Sequence, residues 1–292
     1  MHKAGFVNII GNPNVGKSTL MNALVGEKIS IITPKAQTTR HRILGIVNGS
    51  DYQIVFSDTP GVLKPGYKLQ EYMMRAVKNT VSDADIFIVL TEVSSGFDHP
   101  ELLEQIRQTG VPVLLLINKI DLSNLEQVIA RSEEWKKMFP EWLVLPVSAL
   151  QNFNLDQVLN KIVELLPVSP PYFSQDELTD RPQRFFVTEI VREKILLNYQ
   201  KEIPYSVEVG VESFTEEANL VRIRCNIFVS RESQKGILIG HQGSMLKKVG
   251  TEARKDIEEF LGKKTFLELH VKVSKNWREN DDLLKRFGYS NQ

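Results

Sequence analysis

The first half of the chain alternates two kinds of hydrophobic pattern. Short β-rich runs, "FVNII" (6–10), "YQIVFSD" (52–58), "DIFIVL" (85–90), "VPVLLLIN" (111–118) and "WLVLPVS" (142–148), are apolar at nearly every position. Between them "KSTLMNALVG", "LQEYMMRAVKNTVSD", "HPELLEQIRQTG" and "NLDQVLNKIVELL" place apolar residues at three- and four-residue steps. Strands without polar alternation are buried on both faces, and helices recurring between them supply the cover. The pattern predicts an α/β domain with a mostly parallel sheet and helices on both faces, Met73, Met74 and Val77 facing its core.

Four prolines in "PVSPPYFSQDELTDRP" (167–182) break this rhythm and predict a partly extended linker that serves as a hinge. Beyond it "QRFFVTEIVREKILLNYQ" reads as a helix, and "YSVEVGVESF" and "LVRIRCNIFV" alternate as strands. Two helical patterns, "KGILIG" and "SMLKKVGTEARKDIEEFLG", then precede a strand, "FLELHVKVS". The order α-β-β-α-α-β predicts a smaller α+β domain. The expected boundaries are 1–168 for the first domain, 169–181 for the linker, 182–275 for the second domain and 276–292 for a tail that packs on it or frays.

Composition changes little: of 292 residues, 42% are hydrophobic and 25% charged, as in soluble globular proteins. The longest apolar runs are too short to span a bilayer, and the N-terminus lacks the apolar stretch of a secretory signal. The one cysteine, Cys225, is expected to be a small buried hydrophobe in a reducing compartment. Net charge is zero, but residues 1–179 carry −3 and residues 180–292 carry +3. Within Arg222–Lys275 the excess rises to +6, which is where a polyanion would be sought.

The candidate chemistry begins with "GNPNVGKST", formed by Gly11, Asn12, Pro13, Asn14, Val15, Gly16, Lys17, Ser18 and Thr19, between an expected strand and an expected helix. Its G-x-x-x-x-G-K-[ST] spacing lets backbone N–H groups and a helix N-terminus cradle phosphates. Lys17 reaches the β- and γ-phosphates, and Ser18 offers an oxygen to Mg²⁺. "DTPG", formed by Asp58, Thr59, Pro60 and Gly61, ends the next run; Asp58 can hold Mg²⁺ through water and the Gly61 N–H can meet the γ-phosphate. "NKID" brings Asn118, Lys119 and Asp121. The Asp121 carboxylate can accept from both N1–H and N2–H₂ of guanine, a donor pair that adenine lacks. Asn118 can tie this loop to the phosphate loop, and the stem of Lys119 can lie over the base. In "VSAL", Ser148 and Ala149 follow a strand, with the Ala149 N–H placed to contact guanine O6. All four segments end expected strands, where open α/β sheets bind ligands. In the second half Gly240-His241-Gln242-Gly243 is a G-x-x-G turn between two expected helices, with Lys247, Lys248, Arg254 and Lys255 following.

On these segments residues 1–165 resemble a small-GTPase domain of the translation-factor-related class. The resemblance implies GTP and GDP as ligands, and Mg²⁺ held by Ser18, Asp58 and Thr39, the last as the switch threonine in "KAQTTRHR" beside Thr38. It implies Lys17, Thr39, Gly61 and Asn14 as catalytic positions, Asn14 by recruiting a K⁺ ion in place of an arginine finger. Val62 departs from Ras-like relatives, which carry a water-orienting glutamine there, so slow intrinsic hydrolysis is expected. Residues 182–275 resemble a KH type II domain, whose GxxG loop holds single-stranded nucleic acid. That implies RNA contacts from Gly240, His241, Gln242, Gly243, Lys247 and Lys248, over a groove lined by Ile237 and Ile239.

The pair of domains, with "EARKDIEEFLG", "LELHVKVSKNWR" and "LLKRFGY", is similar to the Era family over essentially the whole chain. The resemblance implies a cytoplasmic bacterial GTPase that binds the 3′ end of 16S rRNA and assists assembly of the small (30S) ribosomal subunit; a monomer needs no further assumption. Some members associate peripherally with the cell membrane; no anchor or strongly basic amphipathic helix is visible in this sequence. On the residues alone two other readings stand: a constitutive RNA-binding factor with a structural nucleotide site, and a GTPase acting on another RNA.

Overall fold

The structure, a computed structural model, describes residues 1–289; the last three residues of the expected tail lie outside the described residues. It divides into two compact units: the first runs to Asp180 apart from Gly66–Leu69, and the second is built on the residues from Arg181 onward.

In the first unit β1 (Lys3–Gly11), α1 (Lys17–Val25), β2 (Ile43–Asn48), β3 (Tyr52–Asp58), α2 (Lys68–Ser82), β4 (Ile86–Glu92), α3 (Pro100–Gln108), β5 (Val113–Asn118), α4 (Leu125–Met138), β6 (Leu143–Pro146) and α5 (Leu155–Leu165) follow in order. They form a six-stranded sheet, β2-β3-β1-β4-β5-β6. Every pair is parallel except β2–β3. The central strands are buried on both faces, as at Ile9, Ile88 and Leu115, so their apolar runs are continuous.

Two elements escape the periodicity. β2 is a short edge strand, and α4 turns Leu125 and Ile129 outward while burying Val128 and Trp135. What starts α4 is a capping box: the Asn124 side chain accepts from the Gln127 N–H at 2.9 Å, and the Gln127 side chain reaches back.

The proline-rich segment is not a loose tether over its whole length. Gln53 Oε1 accepts from the N–H groups of Tyr172 (2.7 Å) and Phe173 (3.0 Å), and Gln53 Nε2 donates to Phe173 O (2.8 Å). Asn48 Nδ2 donates to Gln175 O, and the backbone N–H groups of Ile46 and Leu44 donate to Leu178 O and Asp180 Oδ1. The Tyr172 ring packs on Phe6 at 5.0 Å. Residues 172–180 thus run as a strap along the open edge of β2, satisfying backbone groups that an edge strand otherwise leaves bare.

The second unit comprises α6 (Gln183–Asn198), α7 (Ile203–Ser206), β7 (Glu208–Glu216), β8 (Val221–Val229), α8 (Glu232–Ile239), α9 (Ser244–Leu261), β9 (Thr265–Val273) and α10 (Asp281–Arg286). Its sheet is β7-β8-β9, antiparallel then parallel, with a register shift between Val211 and Ser213. Along β8, Val221, Ile223, Cys225 and Ile227 face the helices, and Arg222 and Arg224 face out. Cys225 is fully buried; burial pushes its thiol up to about 12, leaving it inert.

Much of the local basic excess is neutralised by acids on β7 and β9 and after β7. Arg222 pairs with Glu217 (2.8 Å), Arg224 with Glu268 (3.0 Å), Lys272 with Glu212 (3.1 Å), and Lys263 with Glu216.

Residues 276–289 pack onto this unit through three buried side chains, Trp277, Leu284 and Tyr289. Trp277 is 0% exposed and donates its indole N–H to Ser206 O at 3.0 Å. Phe287 packs between Trp277 and Phe228, Leu284 is buried, and the Tyr289 hydroxyl donates to Glu208 at 2.7 Å. Asn280 caps α10 by accepting from the N–H groups of Asp282 and Leu283. No helix among the described residues is long and apolar enough to cross a membrane.

Candidate functional site

At the carboxyl rim of the first sheet, β1 delivers Gly11–Gly16 to the start of α1. Gly16 holds φ 101°, and a Cβ there would stand 2.4 Å from Asn118 Nδ2, so only glycine lets the two loops approach this closely. Lys17, 6% exposed, donates to Gly11 O (3.0 Å) and Asn12 O (2.8 Å). Burial lowers its pKa to about 8, opposed by the nearby Asp58 charge, so the ammonium persists at neutral pH.

Three oxygen donors converge beside it. Ser18 Oγ and Thr39 Oγ1 lie 2.8 Å apart, and both donate to Asp58 Oδ2, at 2.7 and 3.3 Å. Asp58 is fully buried; burial raises its pKa, while the Ser18 hydroxyl bond and the Lys17 charge pull it back. Its Oδ1 is buried without a hydrogen-bond partner. Two hydroxyls and a carboxylate, one of whose oxygens is unsatisfied, are a donor set suited to a hard cation such as Mg²⁺. The neighbouring Thr38 hydroxyl is turned away, toward Thr33 (2.7 Å) and Lys35 O (2.6 Å).

The base loops are tied to the phosphate loop. Asn118 Nδ2 donates to Val15 O (2.9 Å), and Asn118 Oδ1 accepts from the Ala149 N–H (2.9 Å). Lys119 Nζ donates to Asn14 O (2.7 Å), and the Ser148 hydroxyl donates to Asp121 Oδ1 (2.5 Å). Asn14 Nδ2 also reaches Pro34 O (3.2 Å), linking the phosphate loop to the segment that carries Thr39.

Other expected residues are scaffold in their side chains. Thr59 Oγ1 is buried on Ile9 O (2.8 Å), Val15 is 1% exposed, and Asn12 donates to Gly96 O (3.0 Å). Pro13 lies against Gly61 and with it borders the cleft, and Thr19 also lines it; Pro60 is buried. Val62 is 7% exposed and its N–H donates to Gly11 O at 3.2 Å, so its side chain offers nothing to a water.

In the second unit the GxxG segment is one tight turn joining α8 to α9. Gly240 has φ 73°, and a Cβ there would meet Met245 Cγ at 2.7 Å; His241 and Gln242 are exposed. A groove of about 400 Å³ runs from Gly243 along α9, floored by Leu246, Leu267 and Leu269 and edged by Lys247 and Arg254. This floor comes from β9 and the first turn of α9. Ile237 and Ile239, expected to line the groove, sit on α8 just ahead of the turn, with Ile237 48% exposed. Lys248 approaches Glu252 only at 4.0 Å, and Lys247 makes no ion pair among the described residues.

Comparisons with known proteins agree with this geometry. Residues 6–119 match the family model described as a 50S ribosome-binding GTPase, and residues 202–278 match the KH domain model. The chain is 42% identical to GTPase Era of Ruminiclostridium cellulolyticum over 291 residues, covering 99% of this chain and 98% of that protein. It is 44% identical to GTPase Era of Staphylococcus haemolyticus, covering 99% and 97%. The crystal structure of an Era protein in complex with MgGDPNP and nucleotides 1506–1542 of 16S ribosomal RNA superposes with a TM-score of 0.95 at 38% identity, over 99% of this chain and all of that one. Full-length similarity at this level, carried by a phosphate-loop domain and a KH domain in one order, makes this chain a GTPase of the Era family.

Proposed function

We propose that the chain is a GTP-driven switch that grips the 3′ region of 16S rRNA during assembly of the small ribosomal subunit, in the cytoplasm. The observation that carries this reading is the near-complete superposition on a relative bound to both MgGDPNP and that RNA. The GTPase family model is described by the 50S subunit, but it spans only residues 6–119, whereas the RNA-bound relative matches both units.

Lys17 and the N–H groups at the start of α1 neutralise the β- and γ-phosphates, and the Gly61 N–H faces the transferred group. Ser18, Thr39 and Asp58 hold Mg²⁺, which when bound offsets negative charge on the phosphate oxygens. Asp121, oriented by Ser148, reads guanine. Val62 cannot orient the attacking water, so intrinsic turnover is slow and the γ-phosphate persists long enough to report a state. Loss of that phosphate releases Thr39, and if the RNA-competent state is the one with Thr39 engaged, linkage makes GTP and RNA raise each other's affinity equally.

The RNA backbone crosses the GxxG turn, with bases in the groove above Leu246, Leu267 and Leu269 and phosphates near Lys247 and Lys248. Titration of a 3′-terminal 16S oligonucleotide is the test. The GDPNP-loaded protein is expected to bind more tightly than the GDP-loaded one, and equal affinities dismiss the switch. Lys247→Ala and Lys248→Ala are each expected to flatten the log–log salt dependence by about 0.7, as single-strand phosphate contacts do.

A further inference from the structure

The geometry points to Glu92 as a positioning residue for guanine-nucleotide retention, acting through Lys119. Glu92 is the last residue of β4 and the register partner of Asn118 on β5, so it stands at the rim beside the base loop. Its carboxylate lies 3.1 Å from Lys119 Nζ, with side chains 24% and 33% exposed. Lys119 adopts φ 59°, and its ammonium also donates to Asn14 O at 2.7 Å. The carboxylate therefore fixes this flexible side chain where the base loop meets the phosphate loop.

The segment that follows Glu92 holds the phosphate loop as well. Asn12 Nδ2 donates to Gly96 O (3.0 Å), and Asn12 Oδ1 accepts from the Asp98 N–H (3.2 Å). Thr91 Oγ1 donates to Ser95 O (3.3 Å), and Arg131 Nε donates to Val93 O (3.1 Å) from α4. One stretch of chain, 91–98, is thus braced from behind and reaches forward to both nucleotide loops. A lysine anchored at two points loses less rotamer freedom when a base settles on its stem. Removing the carboxylate frees the ammonium to swing from the cleft, and the bound nucleotide escapes sooner.

This inference rests on the reading of Asn118–Asp121 as the base loop, and the experiment separates the two. Release of a fluorescent GDP analogue from the full-length protein is followed by rapid mixing with excess GDP. Glu92→Ala is expected to release about threefold to fivefold faster than the parent protein, the scale of a partly exposed ion pair. Glu92→Gln, which keeps the volume and a weaker acceptor, is expected to fall between them. In a Lys119→Met background, Glu92→Ala is expected to add nothing. A Lys119→Met protein that releases GDP at the parent rate overturns the base-loop reading. Fast release from Lys119→Met with parental release from Glu92→Ala, or a full additional factor in the double variant, overturns the role of Glu92 alone.

Discussion

Lys17→Ala is expected to lose GTP affinity by roughly two to three orders of magnitude, and GDP affinity by less, taking turnover with it. Lys17 is the buried cation at the floor of the cleft, held by two carbonyls of its own loop and facing the Asp58 carboxylate. Charge-assisted hydrogen bonds contribute about 1.5–3 kcal/mol each, so losing those to the β- and γ-phosphates of GTP costs at least about 3 kcal/mol, and losing the one to GDP about half as much. The truncation also leaves Asp58 without its nearest counter-charge, which adds to the penalty of placing phosphates beside it. Calorimetric titration with GDPNP and Mg²⁺ measures the loss, and phosphate release from GTP measures the turnover. An affinity within threefold of the parent would refute the assignment of Gly11–Ser18 as the phosphate cradle.

Trp277→Ala is expected to destabilise the second unit by about 3–5 kcal/mol, the range for truncating a large buried aromatic. The indole is fully buried, packs edge-on against Phe287 at 5.7 Å, and supplies the N–H that satisfies Ser206 O. Alanine leaves a cavity and an unpaired carbonyl together. Amide exchange in β7 and α7 is expected to quicken accordingly, while GDP affinity, set in the first unit, stays at the parent value. A loss below about 1 kcal/mol would mean that residues 276–289 fray in solution rather than pack onto the unit.

The nucleotide cleft is legible in the sequence because its chemistry demands particular residue types at fixed spacing: Gly16 for close approach, Lys17 for a buried charge, Asn118 for an amide that ties two loops at once. The same constraint makes the GxxG turn visible. The parts that escape are those whose partners are remote or polar. β2 is a six-residue edge strand with a glycine at its centre, and α4 points two of its apolar residues at solvent. Trp277, Leu284 and Tyr289 follow neither a helical nor a strand period, so nothing along the chain announces that they are buried. Glu92 is invisible without the register that sets it beside Asn118.

The strap along β2 decides how the first unit can be isolated. A fragment ended at residue 168, where the apolar periodicity stops, would strip the side-chain amides of Gln53 and Asn48 of their carbonyl partners and uncover the Ile46 N–H. Such a protein carries an unguarded β-edge and is expected to self-associate on concentration, by sheet-to-sheet pairing. One ended at Asp180 retains its own guard rail, and light scattering of the two fragments side by side reads the difference.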